Sequence, residues 1–577
     1  MNACKSRLLN LTVIAVTMTF GFAIAATIGA QATSAQQLPP LPPPPTTYYL
    51  HGRIYTNDPK QPWASAMAIR DGKFRCVGSM EFVLLECGGS EEGAETVNLK
   101  GSFVMPGFND AHVHLGAAGK DMLAVRLNGA ATVEELQKRV SDAVTQHKEG
   151  EWITGGGWDH TLWPDKKFPN RQQLDAVAPK NPVLLTHISG HVAVANSLAL
   201  QLAKITKDTP NPSGSEIEHD EAGEPTGMLK EGAAIERVAS QVPDPSDEQR
   251  RRGIEMVLAD VAKNGVTSVQ DNSAWEDFEV YRQLKAERKL TVRITEWLPF
   301  AALMSELMDM RTEGGIADPW LRTGALKFVT DGALGSRTAA MLAPYSDNPS
   351  TSGIMTMAPE KLRALAIERD KAGYQIAFHA IGDRANRVAL DVFEAVEKAN
   401  GPRDRRDRVE HAQVVAPEDL PRFAKLKVIA SMQPSHETTD MRWAEQCIGP
   451  DRAKGAYSWA TMEKNGVRLA FGTDYDVEPI NPMRGLYACV TRELPDGGPP
   501  GGWQPQEKIS LEDCIRAYTS GSAYAEFAEG RKGELKAGEY ADFIVLSGDP
   551  TKIPPSQFTK VSVLLTVVGG RTVYQKN

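Results

Sequence analysis

The spacing of apolar residues divides this chain into three regions. Residues 48–100 alternate apolar and polar positions between turn signals, as in YYLHGRIYTNDPK and SAMAIRDGKFRCVGS. Strict alternation marks strands with one buried face, and Asp71-Gly72 is a two-residue hairpin signal. The last stretch repeats the pattern in GELKAGEYADFIVLSGDP and VSVLLTVVGGRTVY. The two all-β pieces at opposite ends are expected to meet as one small β-sandwich, built from residues 48–104 and 530–577.

The middle alternates strand-like runs with helix-like ones. The runs are VTSVQD (266–271), TVRITEW (291–297), ALKFVTDG (325–332), QIAFHAIGD (375–383), DRVEHAQ (407–413), KVIASMQP (427–434) and VRLAFGTD (467–474). Together with FVMPGFNDAHVH they make eight β units, which predicts an α/β fold, a (β/α)8 TIM-like barrel over residues 105–529. Helix limits are visible where Ser246 and Gln249 form a capping-box pattern and Asn264-Gly265 supplies a stop. About 150 residues separate the first unit from VTSVQD, far more than a βα connection needs. That gap has structure of its own, with a helix opened by Thr132 and Glu135 and a strand-like PVLLTHIS at 182–189. It predicts a large inserted subdomain, about 120–255, on the active face of the barrel.

Residues 1–35 read as a signal peptide. Lys5 and Arg7 precede an apolar stretch, and AQA and TSA offer small-residue cleavage sites before a mature end near Thr33 or Gln36. Asn10 and the interspersed threonines argue against a membrane anchor, so a periplasmic or secreted protein without stable membrane insertion after cleavage is expected. Residues 36–47, which contain PPLPPPP, read as a stiff Pro-rich linker. The formal net charge of -9 leaves no basic footprint for nucleic acid, and the mixed run Arg403 to Arg408 reads as a solvated loop. Five cysteines remain after the signal, an odd number that excludes a complete disulfide framework. A Cys76–Cys87 bridge is open to an exported chain, but buried thiols are the expectation.

In barrel enzymes the reacting groups sit at the C-terminal ends of strands. The most informative end here is VMPGFNDAHVHLG. Side chains alternate faces along a strand, so His112 and His114 point the same way and can share one cation. The chain holds only 11 histidines, and the other strand ends add Lys327, His379, His411 and Asp474. Four histidines, a lysine and an aspartate on one rim suit two divalent ions. A protonated lysine cannot ligate a metal, whereas its carbamate can bridge two. Asp331 and Arg337, after Lys327, are read as ordering that loop or as forming an ion pair unrelated to catalysis, with Arg337 also a candidate substrate contact. Gln433 and His436 are read as substrate-facing or as partners of buried backbone.

In this order the motifs PGFNDAHVHL, KFVTDGALGSRTA, FHAIGDRA, VEHAQ and FGTDYDVEP resemble the amidohydrolase superfamily, in the amidohydrolase-3 branch that contains N-substituted formamide deformylase. The likeness runs over nearly all of residues 48–577. It implies that His112, His114 and Asp474 hold a more buried ion, that His379 and His411 hold an exposed one, and that a carboxylated Lys327 bridges them, with zinc the expected metal. Asp474 would be the base toward the attacking water and pass its proton to the leaving nitrogen. Trp158 and His191 resemble the family's pocket-lining positions, while His160 and His187 are read as structural. The implied activity is metal-dependent hydrolysis of a non-peptide C–N bond in a small-molecule amide, N-acyl or N-formyl compound. The alternatives are a hydrolase of a cyclic amide, carbamate or ester, and a non-catalytic metal-containing binding protein. Asp474 speaks against the last, since binding needs no base. The substrate, the native metal and the oligomeric state, a homo-oligomer included, are left open.

Overall fold

Eight short runs rich in β-branched, aromatic and small residues line up as one parallel sheet in the computed structural model, which describes residues 45–87 and 93–576. The expected signal peptide and most of the Pro-rich linker lie outside the described residues. The strands are β1 (Phe108–Val113), β2 (Val266–Asp271), β3 (Arg293–Pro299), β4 (Leu321–Val329), β5 (Ile376–Ala380), β6 (Arg408–His411), β7 (Ile429–Met432) and β8 (Leu469–Phe471). Each pairs in parallel with the next. Helices such as Trp275–Ala286, Met304–Gly314 and Asp383–Asn400 cover the outside. β1, β2, β6, β7 and β8 are buried at every residue, as expected for strands covered on both faces.

The ring closes through the segment that follows β8. Asp474 N donates to His112 O at 2.8 Å, and His114 N donates to Tyr475 O at 2.5 Å. The buried Asp110 carboxylate accepts from Thr473 N at 2.9 Å and Thr473 Oγ1 at 2.7 Å. Gly472 permits this approach, because a Cβ there would lie 2.6 Å from both Asp110 Oδ1 and His112 N.

FVMPGFNDAHVH, read as one unit, is in fact two. Phe103–Pro106 pairs antiparallel with Phe543–Leu546 in the sandwich, and β1 starts only at Phe108. At the crossing, Gly107 N bonds to Asp542 O and Phe108 N to Gly265 O, so adjacent residues serve different sheets. The sandwich joins a sheet of both chain ends (Arg571–Gln575, Val563–Val568, Phe543–Leu546, Phe103–Pro106, Arg53–Tyr55, Trp63–Ala64) to a four-stranded one. Tyr49, Met67, Ile69 and Phe74 from the four-stranded sheet share a core with Ile54, Val104, Phe543 and Val567. Asp71 and Gly72 both have positive φ, the conformation of a type I′ hairpin, and Arg70 faces Lys73 across them.

Between helices Leu115–Leu123 and Asp247–Lys263 lies a six-stranded mixed sheet with its own apolar clusters. Thr132 caps helix Val133–Val144 by accepting from Glu135 N, and Ser246 with Gln249 forms the capping box of Asp247–Lys263. Two expectations are overturned. Cys76–Cys87 and Cys489–Cys514 are disulfides, leaving Cys447 as a buried thiol. The second pair joins helices Pro482–Thr491 and Leu511–Arg516, a proximity that no linear spacing reveals. Arg408 is no loop residue but a fully buried side chain at the start of β6, while Arg403 and Arg405 converge on Asp370. Among the described residues no helix is long and apolar enough to cross a membrane.

One ion pair joins the sandwich to the barrel. Arg293 on β3 donates Nε to Asp542 Oδ2 at 2.7 Å and Nη2 to Oδ1 at 2.9 Å, and both side chains are 5% exposed. Removing one partner of a buried pair strands the other charge and costs about 3–5 kcal/mol. Asp542→Ala is therefore expected to lose roughly that much stability in urea denaturation. Lys138→Ala, which breaks the exposed Lys138–Asp142 pair, should show no resolvable change.

Candidate metal centre

The site forms where β1 ends against the segment after β8. His112 and His114 project to the same side, while Val113 between them is buried in the main core. His112 Nε2 lies 3.5 Å, and His114 Nε2 3.1 Å, from Asp474 Oδ1. His114 Nδ1 is 3.0 Å from Asn272 O, just past β2, which fixes the ring so that Nε2 faces the carboxylate. His112 Nδ1 lies 3.1 Å from Glu410 Oε2 on β6. Glu410 is in turn held by Arg408, whose Nε donates to Oε1 at 2.5 Å, and both side chains are fully buried.

A second set meets the other carboxylate oxygen. His411 ends β6, and His436 stands in the first turn of helix Pro434–Asp440 after β7, its Nε2 3.6 Å from Asp474 Oδ2. The ligating atoms of His112, His114 and Asp474 lie within 4.8 Å of one another, as do those of His411, His436 and Asp474. Asp474 thus belongs to both sets. His411 and Asp474 have φ of 71° and 57°, left-handed values for residues with a Cβ. Such strain concentrates at functional sites, where the surrounding structure holds it in place.

Burial and charge set the protonation. Burial, reinforced by the Lys327 charge, pushes His112 down to about 4 and His379 to about 3, and burial with His379 beside it holds His411 well below the usual imidazole range. Burial works against ionisation of Asp474, but the imidazoles of His112, His114, His411 and His436 outweigh it and hold the carboxyl well below its ordinary value. His112 and His411 thus meet the carboxylate as neutral imidazoles, the form a divalent ion requires, while at His114 burial is outweighed by the bond to Asp474, which raises that ring. His411 Nδ1, His436 Nε2 and Asp474 Oδ1 are buried with no hydrogen-bond partner. Unsatisfied buried lone pairs that converge are costly unless a cation completes them, so the residues fit a metal.

The remaining expected site residues are placed as follows. Lys327 ends up buried, its Nζ 2.8 Å from His112 Nε2 and 5.1 Å from the Trp297 ring centre, and burial pushes its amine down to about 8. His379 packs its ring 4.4 Å from that of His411, but its Nε2 turns toward Gly332 O (3.3 Å) and Asp331 Oδ1 (3.5 Å) rather than Asp474. Asp331 accepts from the backbone nitrogens of Ala340, Ile381 and Gly382 and so ties the loop after β4 to the end of β5. Gln433 is buried beside the site at the end of β7, its amide 3.4 Å from Ser431 O.

Three expected substrate contacts take other parts here. Trp158 is fully buried in the inserted subdomain's own core, donating to Leu185 O and stacking on Trp163. His191 is a surface residue, its side chain 72% exposed and paired with Glu231. Arg337 bonds to Asp347 and to Gly335 O, which orders its own loop. His436 is the ligand-type residue that strand reading underrates. Its position two residues past Pro434, at a helix start facing the rim, is the signal that could have raised it.

Comparison with known proteins agrees with this geometry. Residues 95–574 match the model of an amidohydrolase family. The chain is similar to the protein LONG AFTER FAR-RED 3 of Arabidopsis thaliana, 38% identical over 540 residues that cover 91% of each chain. It is 28% identical over 543 residues to the N-substituted formamide deformylase of Arthrobacter pascens, covering 91% of this chain and 98% of that one. An uncharacterised metal-dependent hydrolase from Pyrococcus furiosus superposes with a TM-score of 0.72 at 32% identity, covering 88% of this chain and all of that one. The chain belongs to the amidohydrolase family.

Proposed function

We propose that this protein is an exported, metal-dependent hydrolase that cleaves the C–N bond of a small N-acyl or N-formyl amine. The observation that carries the reading is the convergence of histidines on both oxygens of Asp474, with His411 Nδ1 and His436 Nε2 buried and unpartnered. Two sets sharing one carboxylate favour two divalent ions of the zinc class. A divalent ion held there lowers the pKa of a coordinated water and polarises a carbonyl.

The chain's own residues supply the rest. Asp474, kept ionised and oriented by His114, accepts a proton at Oδ1 or Oδ2 and returns it to the leaving nitrogen. Lys327 in its free form faces His112 Nε2. With its amine pushed down to about 8, an appreciable fraction is neutral at ordinary pH. That neutral amine can attack carbon dioxide, forming an N–C bond as one C=O π pair moves onto oxygen and the nitrogen loses a proton, to give a carbamate whose oxygens would serve as metal ligands. Glu410, pinned by Arg408, orients His112 so that Nε2 faces the centre. Export is supported by two disulfides, which persist in oxidising compartments. The formamide named for the Arthrobacter pascens relative supports N-formyl amines as the first compounds to try.

A panel of N-formyl and N-acyl amines, with esters and cyclic amides alongside, tests the reading on zinc- and manganese-loaded protein. Amine release in step with acid, abolished by a chelator and restored by metal, is expected. Ester cleavage with no amine release from any amide would reassign the bond. Asp474→Asn should keep most of the metal, because four imidazoles remain, yet lower turnover by about 10²–10⁴-fold, the usual worth of a positioned acid–base group. Glu410→Gln removes no ligand, but loss of such an outer partner typically costs about 10–100-fold in metal affinity. Chelator competition on that variant should show a loss in this range, with the folded signal in circular dichroism unchanged.

A further inference from the structure

Outside the barrel, a second cluster of ligand-type side chains sits in the inserted subdomain. Strand Ile153–Trp158 pairs in parallel with Val183–His187, and Trp158 faces His187 in that register. Two adjacent parallel strands therefore end on the same edge. One delivers His187, and the other runs straight into Asp159 and the short turn His160–Leu162. The ligating atoms of Asp159, His160 and His187 lie within 4.8 Å of one another. We propose that these three residues form a separate divalent-cation site of the zinc class, with a fourth position open to water.

Three observations carry it. The spacing is right: His187 Nε2 stands 3.9 Å from Asp159 Oδ1, too long for a good hydrogen bond. Two ligands that each sit about 2.0–2.2 Å from one tetrahedral ion lie roughly 3–4 Å apart. The nitrogens are unpartnered: His160 Nδ1 and His187 Nε2 are buried with no hydrogen-bond partner. A histidine kept only for packing normally satisfies a buried nitrogen, and here two neighbours both fail to. The groups are also held in place. His187 Nδ1 accepts from Ser189 N at 3.1 Å and lies 2.8 Å from Ser189 Oγ, so the ring is fixed with Nε2 toward Asp159, and a metal at Nε2 would displace the proton there. Trp158 packs edge-on against His187 at 4.6 Å, Phe168 lies 4.2 Å from the His160 ring, and Thr161 N and Oγ1 both donate to Asp159 Oδ1. Two imidazoles and one carboxylate select zinc, cobalt or nickel over calcium or magnesium.

Cobalt(II) titration of metal-stripped full-length protein, read by its visible spectrum and by equilibrium dialysis, tests the site apart from the barrel. In protein that lacks histidines of both barrel sets (His112→Ala/His114→Ala/His411→Ala/His436→Ala) one cobalt equivalent with a four-coordinate spectrum should survive. Adding His160→Ala/His187→Ala should remove that equivalent. Asp159→Asn, which preserves shape, should weaken it by at least about tenfold, the lower end of what even an outer partner costs. His160→Ala alone leaves the His187–Trp158 contact and serves as the variant least able to disturb folding. Unchanged cobalt stoichiometry and affinity in folded His160→Ala protein would overturn the proposal, as would the absence of any bound cobalt in folded protein that lacks the four barrel histidines.

Discussion

Everything at the centre of this molecule depends on closing the barrel between its last strand and its first. β8 is only three residues long, and the closure is made by the turn after it. Thr473 bonds to Asp110, Asp474 N to His112 O, and Tyr475 O receives His114 N, all within one short stretch. The same contacts that seal the ring bring the Asp474 carboxylate against the two histidines of β1. Architecture and chemistry are therefore one set of bonds. A bulkier residue than Gly472 would separate both at once.

The second theme is how charge is carried inside the ring. Arg408 and Glu410 lie fully buried between the strands, with Gln270, Ser431 and Ala111 O also bonded to Arg408. Burial would raise the Glu410 carboxyl, but Arg408 and His112 overcome it and hold it near 2, so a fixed negative charge backs His112. At the opposite end of the barrel, Glu526 bonds Thr295, Arg322 and Lys532 in a comparable closed network. Both ends are polar, yet they differ. The lower network satisfies its members, whereas the upper one leaves nitrogen lone pairs unmatched around Asp474.

Much of this was legible in the chain, and the exceptions share a cause. β2 matches the run VTSVQD residue for residue because a stop at Asn264-Gly265 precedes it and polar residues follow. The strand-end rule pointed to His112 and His114 because strand periodicity puts both on one face, and to His411 and Asp474 because they end or follow a strand at the same rim. It underrated His436, since a residue on a helix after the strand has no such periodic address. It placed His379 on the rim but not the direction of its nitrogen, which Asp331 and Gly332 decide. Trp158 resembles the family's pocket-lining positions, whereas its indole fills the subdomain's own core. The Cys489–Cys514 bridge and the split at Gly107 depend on contacts between distant segments, which a local pattern does not contain.

The sandwich also bears on how the molecule comes into being. Phe103–Pro106 pairs on one side with Arg53–Tyr55, but its other neighbour comes from Phe543–Leu546, close to the end of the chain. Until that late segment leaves the ribosome, the early strand keeps one open edge. Completion of the sheet thus works as a proofreading step for full-length synthesis. A product cut short after the barrel would carry every residue of the metal centre and still expose a strand that invites aggregation.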